Sequence, residues 1–270
     1  MTIPSELHTT PGAALTAMRA ARPLVHCITN YVAMNVAANT LLAAGASPAM
    51  IHTPEEAGDF ARIAAALTVN IGTLSPHWVE GMKRAAESAN EAATPWVFDP
   101  VAHFATAYRA GVTAELLALA PAVIRGNASE IIGLSGGGSA ARGPDAADPV
   151  DAAEAAARAL AAGQKAVVAV TGETDFVTDG FRAVRIHGGS PLMPQVTALG
   201  CSLTCLVGAF AATTQDAFEA TVAALAFYAV AGETAAERAD GPGSFGWRFS
   251  DALAALTPEE LDARARIDAA

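Results

Sequence analysis

Val123-Ile124-Arg125-Gly126-Asn127-Ala128-Ser129-Glu130-Ile131 holds the rule of the fold in one short run. Two β-branched residues read as a buried strand, Arg125-Gly126-Asn127 turns the chain, and Ser129-Glu130 starts a helix. The unit recurs on both sides. Apolar runs at 24–28, 49–51, 69–71, 96–98, 123–124 and 166–170 read as strands buried on both faces. Between them, 35–44, 54–67, 76–93, 113–119 and 151–162 read as helices, with Pro or Asp near their starts. This alternation predicts an α/β fold, a three-layer α/β/α sandwich with a mostly parallel central sheet.

After Thr171 the pattern changes. Runs at 175–178 and 181–186 flank Asp179-Gly180, a two-residue hairpin signal. Two long helices follow, one opening at Cys201 after a turn ending at Gly200, the other over 216–238. Gly136-Gly137-Gly138-Ser139 with Gly143-Pro144 reads as a surface loop, because the alternation continues across it. One domain over 1–270 is the expectation.

Bulk composition narrows the class. Hydrophobic residues make up 52% and charged ones 16% of the chain, which suits a packed core. A net charge of −11 argues against nucleic acid or an anionic membrane as partner, since both want a basic face. Mean hydropathy is +0.33, yet the longest apolar run, 220–232, is too short to span a bilayer and reads as a buried helix. Residues 1–23 show no basic segment leading into an apolar one, so no signal peptide is expected. Three scattered cysteines, Cys27, Cys201 and Cys205, fit reduced thiols in a cytoplasm.

Ligands of open parallel sheets sit beyond the carboxyl ends of the strands. Four such ends carry polar groups: Asn30, Asp99, Arg125 with Glu130 nearby, and Thr171-Gly172. Asp99 and Glu130 suit Mg²⁺ held partly through water, or equally a cap and a solvated turn. Arg125 suits phosphate, or a salt bridge to a neighbouring acid. Thr171-Gly172 suits a nucleotide, or a tight turn into the hairpin. The stretch Ala198-Leu199-Gly200-Cys201 leads into a helix whose first amides lack intrahelical partners, a ready anion site. Cys201 at its mouth is either a small buried hydrophobe or a thiol acidified by the helix terminus. Cys205, one turn deeper, reads as core. His52 and His103 lie near strand ends, and the sequence leaves open whether they face the pocket. Neither a P-loop, a dinucleotide fingerprint nor a nucleophile elbow is present, so a phosphate site must rest on the Gly200-Cys201 helix start.

Several segments, in order and spacing, resemble the hydroxyethylthiazole kinase family of thiamin salvage, within the ribokinase-like fold. They are 24–30 with Met34-Asn35 and Ala38-Asn39, then 45–50, Asp99-Pro100-Val101, 125–131, Val170-Thr171-Gly172, Gly200-Cys201 and 241–245. The resemblance covers nearly the whole chain. It implies ATP-dependent phosphorylation of the hydroxyl of 4-methyl-5-(2-hydroxyethyl)thiazole, with Mg²⁺. It further implies substrate contacts at Asn30, Met50, Ala198 and Gly200, ATP contacts at Arg125 and Thr171, metal-side acids Asp99 and Glu130, and Cys201 beside the attacking hydroxyl. Amides from Leu199 to Ser202 would hold the transferring phosphoryl group. A cytoplasmic homotrimer with active sites at subunit boundaries is implied as well.

The family usually reads Gly-Thr-Gly-Cys or Gly-Ala-Gly-Cys where this chain has Ala198-Leu199-Gly200-Cys201, so added side chains are expected to crowd the pocket or bend the anion site. The run Ala102-His103-Phe104 also replaces a glycine-rich one. Two rival readings follow: a related small-alcohol kinase or an inert nucleotide-binding relative, and a cysteine nucleophile in acyl transfer. The last needs a His held by a carboxylate, which no spacing announces.

Overall fold

The computed structural model describes residue 4 and residues 6–136 and 150–270; the expected glycine-rich loop at 137–139 and 143–144 lies outside them. The chain runs α1 (Pro11–Ala21), β1 (Leu24–Ile28), α2 (Met34–Ala44), β2 (Ser47–Ala49), α3 (Pro54–Ile63), β3 (Ala66–Asn70), α4 (Pro76–Glu91) and β4 (Trp96–Asp99). It continues through α5 (Ala107–Leu117), β5 (Val123–Asn127), α6 (Ala128–Leu134), α7 (Val150–Gln164), β6 (Val167–Thr171), β7 (Thr174–Thr178) and β8 (Ala183–His187). The last elements are α8 (Leu199–Ala211), α9 (Ala217–Ala236), α10 (Pro242–Ala255), α11 (Pro258–Arg264) and β9 (Arg266–Ala269).

Among the described residues the strands form one sheet in the order β2-β1-β3-β4-β5-β6-β7-β8-β9. Pairing is parallel from β2 through β6 and antiparallel from β6 through β9. Helices cover both faces, giving the expected three-layer α/β/α sandwich. Helices α1, α2, α8, α9 and α10 pack together on one side, α3 to α7 on the other. The strand pleat divides the core accordingly. Val97, Val123, Val167 and Ala169 join the α8 side, while Trp96, Phe98, Ile124, Val168 and Val170 face away.

That alternation also sorts the polar residues. Asp99 is two residues on from Val97, Arg125 from Val123, and Thr171 from Ala169, so all three strand ends point toward α8. Register completes the arrangement. Asn70 lies directly beside Asp99, and Asn127 beside Thr171.

Several boundaries differ from the sequence reading. Helix α3 stops at Ile63, where Ala64 turns extended into β3, because the alanine run fits either period. Strand β2 pairs through 47–49 rather than 49–51, an edge position that tolerates Pro48. Helix α5 starts at Ala107 instead of 113, where the Thr106 side chain accepts the Arg109 amide. Helix α8 starts at Leu199, with Ala198 as its cap residue, so Gly200 and Cys201 already lie in the first turn.

Candidate active site

Ala198 adopts φ 67°, the left-handed region in which a β-carbon is strained. Leu199 then turns its side chain into the main core, where it is 5% exposed. The expected crowding by Leu199 therefore does not occur, because apolar burial draws that side chain away from the amides it follows. Tyr228 on α9 anchors the turn: its hydroxyl lies 2.8 Å from the Leu199 carbonyl and 2.8 Å from the Ser202 hydroxyl. The first-turn amides of Leu199, Gly200 and Cys201 have no intrahelical acceptor. The Ser202 amide, expected to join them, instead donates to the Ala198 carbonyl at 2.9 Å and closes the first helical bond.

The Arg125 guanidinium rests against this turn. A β-carbon on Gly200 would stand 3.0 Å from Nη1 and 3.2 Å from Nη2, so any side chain there would push the guanidinium back by a few tenths of an ångström. Nη2 donates to the Thr171 hydroxyl, which donates in turn to the Gly126 carbonyl at 3.3 Å. Nη1 lies 3.7 Å from Asp99 Oδ2.

Asp99 is fully buried. Its Oδ2 accepts from Asn70 Nδ2 at 2.7 Å and from the Thr204 hydroxyl at 2.8 Å. Its Oδ1 is buried with no hydrogen-bond partner. Burial drives the carboxyl above its ordinary range, opposed by Arg125, Thr204 and Asn70. Glu130 closes a capping box on α6. Its oxygens accept from the amides of Ala102 (2.9 Å) and Asn127 (2.8 Å), while the Asn127 side chain accepts the Glu130 amide. Burial, and then the charge of Asp99, pushes Glu130 up to about 7. The unpartnered Asp99 oxygen beside a second carboxyl fits a hydrated Mg²⁺, a cation that takes one or two carboxylates and keeps its waters.

Asn30 completes the group. Its Oδ1 accepts from the amides of Val32 (3.1 Å) and Ala33 (3.0 Å), which fixes the amide orientation. Its Nδ2 donates to Asn70 Oδ1 at 2.9 Å and to Cys201 Sγ at 3.2 Å. The thiol is not acidified by the helix terminus. Burial foremost, and then the negative Asp99, pushes it up to about 11, outweighing the N–H of Asn30 and the charge of Arg125. Cys205 is core, its sulfur 3.4 Å from the Thr68 hydroxyl.

Asn30, Asp99, Arg125, Thr171, Gly200 and Cys201 are thus brought together, with Ala198 at the entrance of the turn and Glu130 next to Asp99. Met50 stands outside this hydrogen-bonded group, half-buried against the main core just after β2. His103 does not face the site; its Nε2 lies 3.0 Å from the Glu130 carbonyl and its ring packs on Phe104. His52 packs on Trp78, ring centroids 4.4 Å apart. Asn70, Thr204 and Tyr228 were not read from the sequence. Asn70 was legible in principle, since it ends its strand as Asp99 does.

A model of the hydroxyethylthiazole kinase family matches residues 15–259. A hydroxyethylthiazole kinase of Rhizobium johnstonii is 70% identical over 266 residues, covering 98% of this chain and 100% of that one. One from Cereibacter sphaeroides is 64% identical over 259 residues, covering 96% and 98%. The structure of a hydroxyethylthiazole kinase protein from Pyrococcus horikoshii OT3 matches with TM-score 0.88 at 38% identity, over 96% of this chain and 98% of that one. The pyridoxal kinase of Staphylococcus aureus, solved with AMP-PCP and pyridoxal, matches at TM-score 0.64 and 16% identity, over 92% and 99%. That likeness bears on the ribokinase-like fold alone. With the family model spanning most of its length and close relatives along nearly all of it, the chain belongs to the hydroxyethylthiazole kinase family.

Proposed function

We propose that this protein transfers the γ-phosphoryl group of ATP to the hydroxyl of 4-methyl-5-(2-hydroxyethyl)thiazole, as a single catalytic domain in thiamin salvage. The observation that carries the reading is the convergence on Gly200: free first-turn amides, the Arg125 guanidinium, and a buried Asp99 with one unpartnered oxygen. Such a place suits a polyphosphate rather than an acyl group.

Phosphoryl transfer depends mainly on positioning and charge neutralisation. The amides of Leu199, Gly200 and Cys201 hold the transferring oxygens. Arg125 steadies the phosphate charge, with Thr171 aligning its fork. Asp99, and Glu130 through water, would hold Mg²⁺, which would supply positive charge to offset that of the phosphates. Met50, Ala198, Asn30 and the Gly200 backbone border the alcohol. Cys201 keeps its proton at neutral pH, with its sulfur fixed by Asn30. It therefore guides the attacking hydroxyl rather than waiting as a thiolate, which suffices for a loose transition state. The inward turn of Leu199 leaves the amides open and favours activity over an inert relative.

Tyr31 and Val32 follow Asn30 directly and are 62% and 58% exposed, apolar surface that a neighbouring subunit of a homotrimer would cover. No helix among the described residues is long and apolar enough to cross a membrane. A cytoplasmic location suits the reduced thiols.

The test is transfer of γ-labelled phosphate from ATP to the thiazole alcohol, with and without Mg²⁺. Label on the alcohol supports the reading. Binding of both ligands without transfer overturns it. Sedimentation analysis tests the trimer separately.

A further inference from the structure

Arg109 lies in the first turn of α5, outside the group described above, and no carboxylate pairs with it among the described residues. Its guanidinium is given to three backbone carbonyls in two loops. Nη1 donates to Ile71 at 2.7 Å and to Val101 at 2.9 Å, and Nη2 donates to Gly72 at 2.7 Å. These loops follow β3 and β4, the strands that end in Asn70 and Asp99.

Two of those carbonyls belong to peptide units whose other end reaches the site. The Ile71–Gly72 unit gives its carbonyl to Arg109 and its N–H to Asn70 Oδ1, at 2.8 Å. The Val101–Ala102 unit gives its carbonyl to Arg109 and its N–H to Glu130 Oε1, at 2.9 Å. The N–H and C=O of a trans peptide point in opposite directions, so each unit is a rigid strut. A charged donor on one end also polarises the N–H on the other. The first strut packs directly on the site: a β-carbon at Gly72 would lie 2.6 Å from Asn30 Nδ2.

We propose that Arg109 is a positioning residue for phosphoryl transfer, holding Asn70 and Glu130 through two peptide struts. Asn70 in turn fixes Asn30 and Asp99, so a shift of one loop reaches both the thiol and the buried carboxylate. Lysine cannot substitute, because an ammonium lacks the planar fork that spans both loops. The proposal rests on the kinase reading, and the test separates the two.

Steady-state kinetics of Arg109→Ala and Arg109→Lys, with ATP and the thiazole alcohol, are compared with the parent. The expected result is a fall in kcat of about 10- to 100-fold, as for misplacement on the ångström scale, with KM for ATP little changed. Millimolar guanidinium restores kcat in Arg109→Ala but not in the parent. Hydrogen exchange at the Gly72 and Ala102 amides quickens in the same variant and slows again with guanidinium. Unchanged kcat in folded variants overturns the proposal. So does a loss of kcat that only tracks unfolding and is not recovered by guanidinium. Should Arg109→Ala not fold, Arg109→Lys carries the comparison. A parent without phosphoryl transfer ends the kinase reading; the exchange data then decide the struts alone, and unchanged exchange at both amides overturns them.

Discussion

Asn30 Nδ2 donates to Cys201 Sγ across 3.2 Å, with the amide held in that orientation by the backbone of Val32 and Ala33. The sulfur is therefore an acceptor toward Asn30, and its own proton is left for another partner. A protonated thiol in that position is a guide for a hydroxyl and a weak base.

Removing it should slow the chemistry without loosening the nucleotide. Cys201→Ala is expected to lower kcat by about 10- to 100-fold, as for a misplaced attacking hydroxyl, with KM for ATP nearly intact. Cys201→Asp should keep activity, because a carboxylate at the same point can both orient the hydroxyl and accept its proton. Equal kcat in the parent and Cys201→Ala would remove the thiol from the mechanism.

Arg125 should resist conservative exchange. Its fork bridges Thr171 and the neighbourhood of Asp99, which an ammonium cannot do. Charge-assisted hydrogen bonds contribute about 1.5–3 kcal/mol, so Arg125→Lys should raise KM for ATP about tenfold or more. Isothermal titration with a non-hydrolysable ATP analogue checks it; affinity equal to that of the parent would place the phosphates elsewhere.

Ala198 offers a stability test independent of catalysis. A β-carbon at φ 67° carries left-handed strain of about 1–2 kcal/mol, which glycine lacks. Glycine adds entropy to the unfolded chain and offsets roughly half of the gain. Ala198→Gly should thus raise stability by up to about 1 kcal/mol in urea melts. A clear loss would mean that the methyl group is packed, not strained.

His26 gives the fold a pH dependence. Burial depresses its imidazole to about 4, while Nε2 lies 2.7 Å from the Ile51 carbonyl and the ring meets Phe60 edge-on. The unfolded chain takes up a proton near pH 6.5, well before the folded one. Stability contributed by the neutral ring is complete above pH 6.5 and declines as pH falls toward 4, by up to about 3 kcal/mol. His26→Gln should flatten that part of the profile in denaturant melts at graded pH. An unaltered slope would assign the dependence to other groups.

The sheet was legible because its strands are short apolar runs separated by helices with Pro or Asp at their starts. What escaped was local. Helix α10 opens with Gly241-Pro242-Gly243-Ser244, which reads as a turn by composition although Pro242 sits at the first helical position. Strand β9, Arg266-Ile267-Asp268-Ala269, is a polar edge recruited by backbone pairing to β8, with no apolar run to announce it. In the site, Asp99 was visible and Asn70 was not, because the sequence reading carried the third strand one residue past its polar end. Sequence could not weigh a helix terminus against burial at Cys201, since that balance depends on how deep the sulfur sits and how near Asp99 lies.

Tyr228 sits on α9, a helix buried on nearly every side, and reaches back to the Leu199 carbonyl. Helix α1 packs on α9 and is tied to α11 through Asp262, which accepts from Thr10 and the Gly12 amide. A nascent polypeptide extending only through α8 already contains every residue of the reacting centre, yet the Leu199 carbonyl in its turn still lacks the Tyr228 hydroxyl. Competence to bind nucleotide should therefore arise late in biosynthesis, once the ribosome has released the hydroxyl that pins Leu199 and the helices that shelter it.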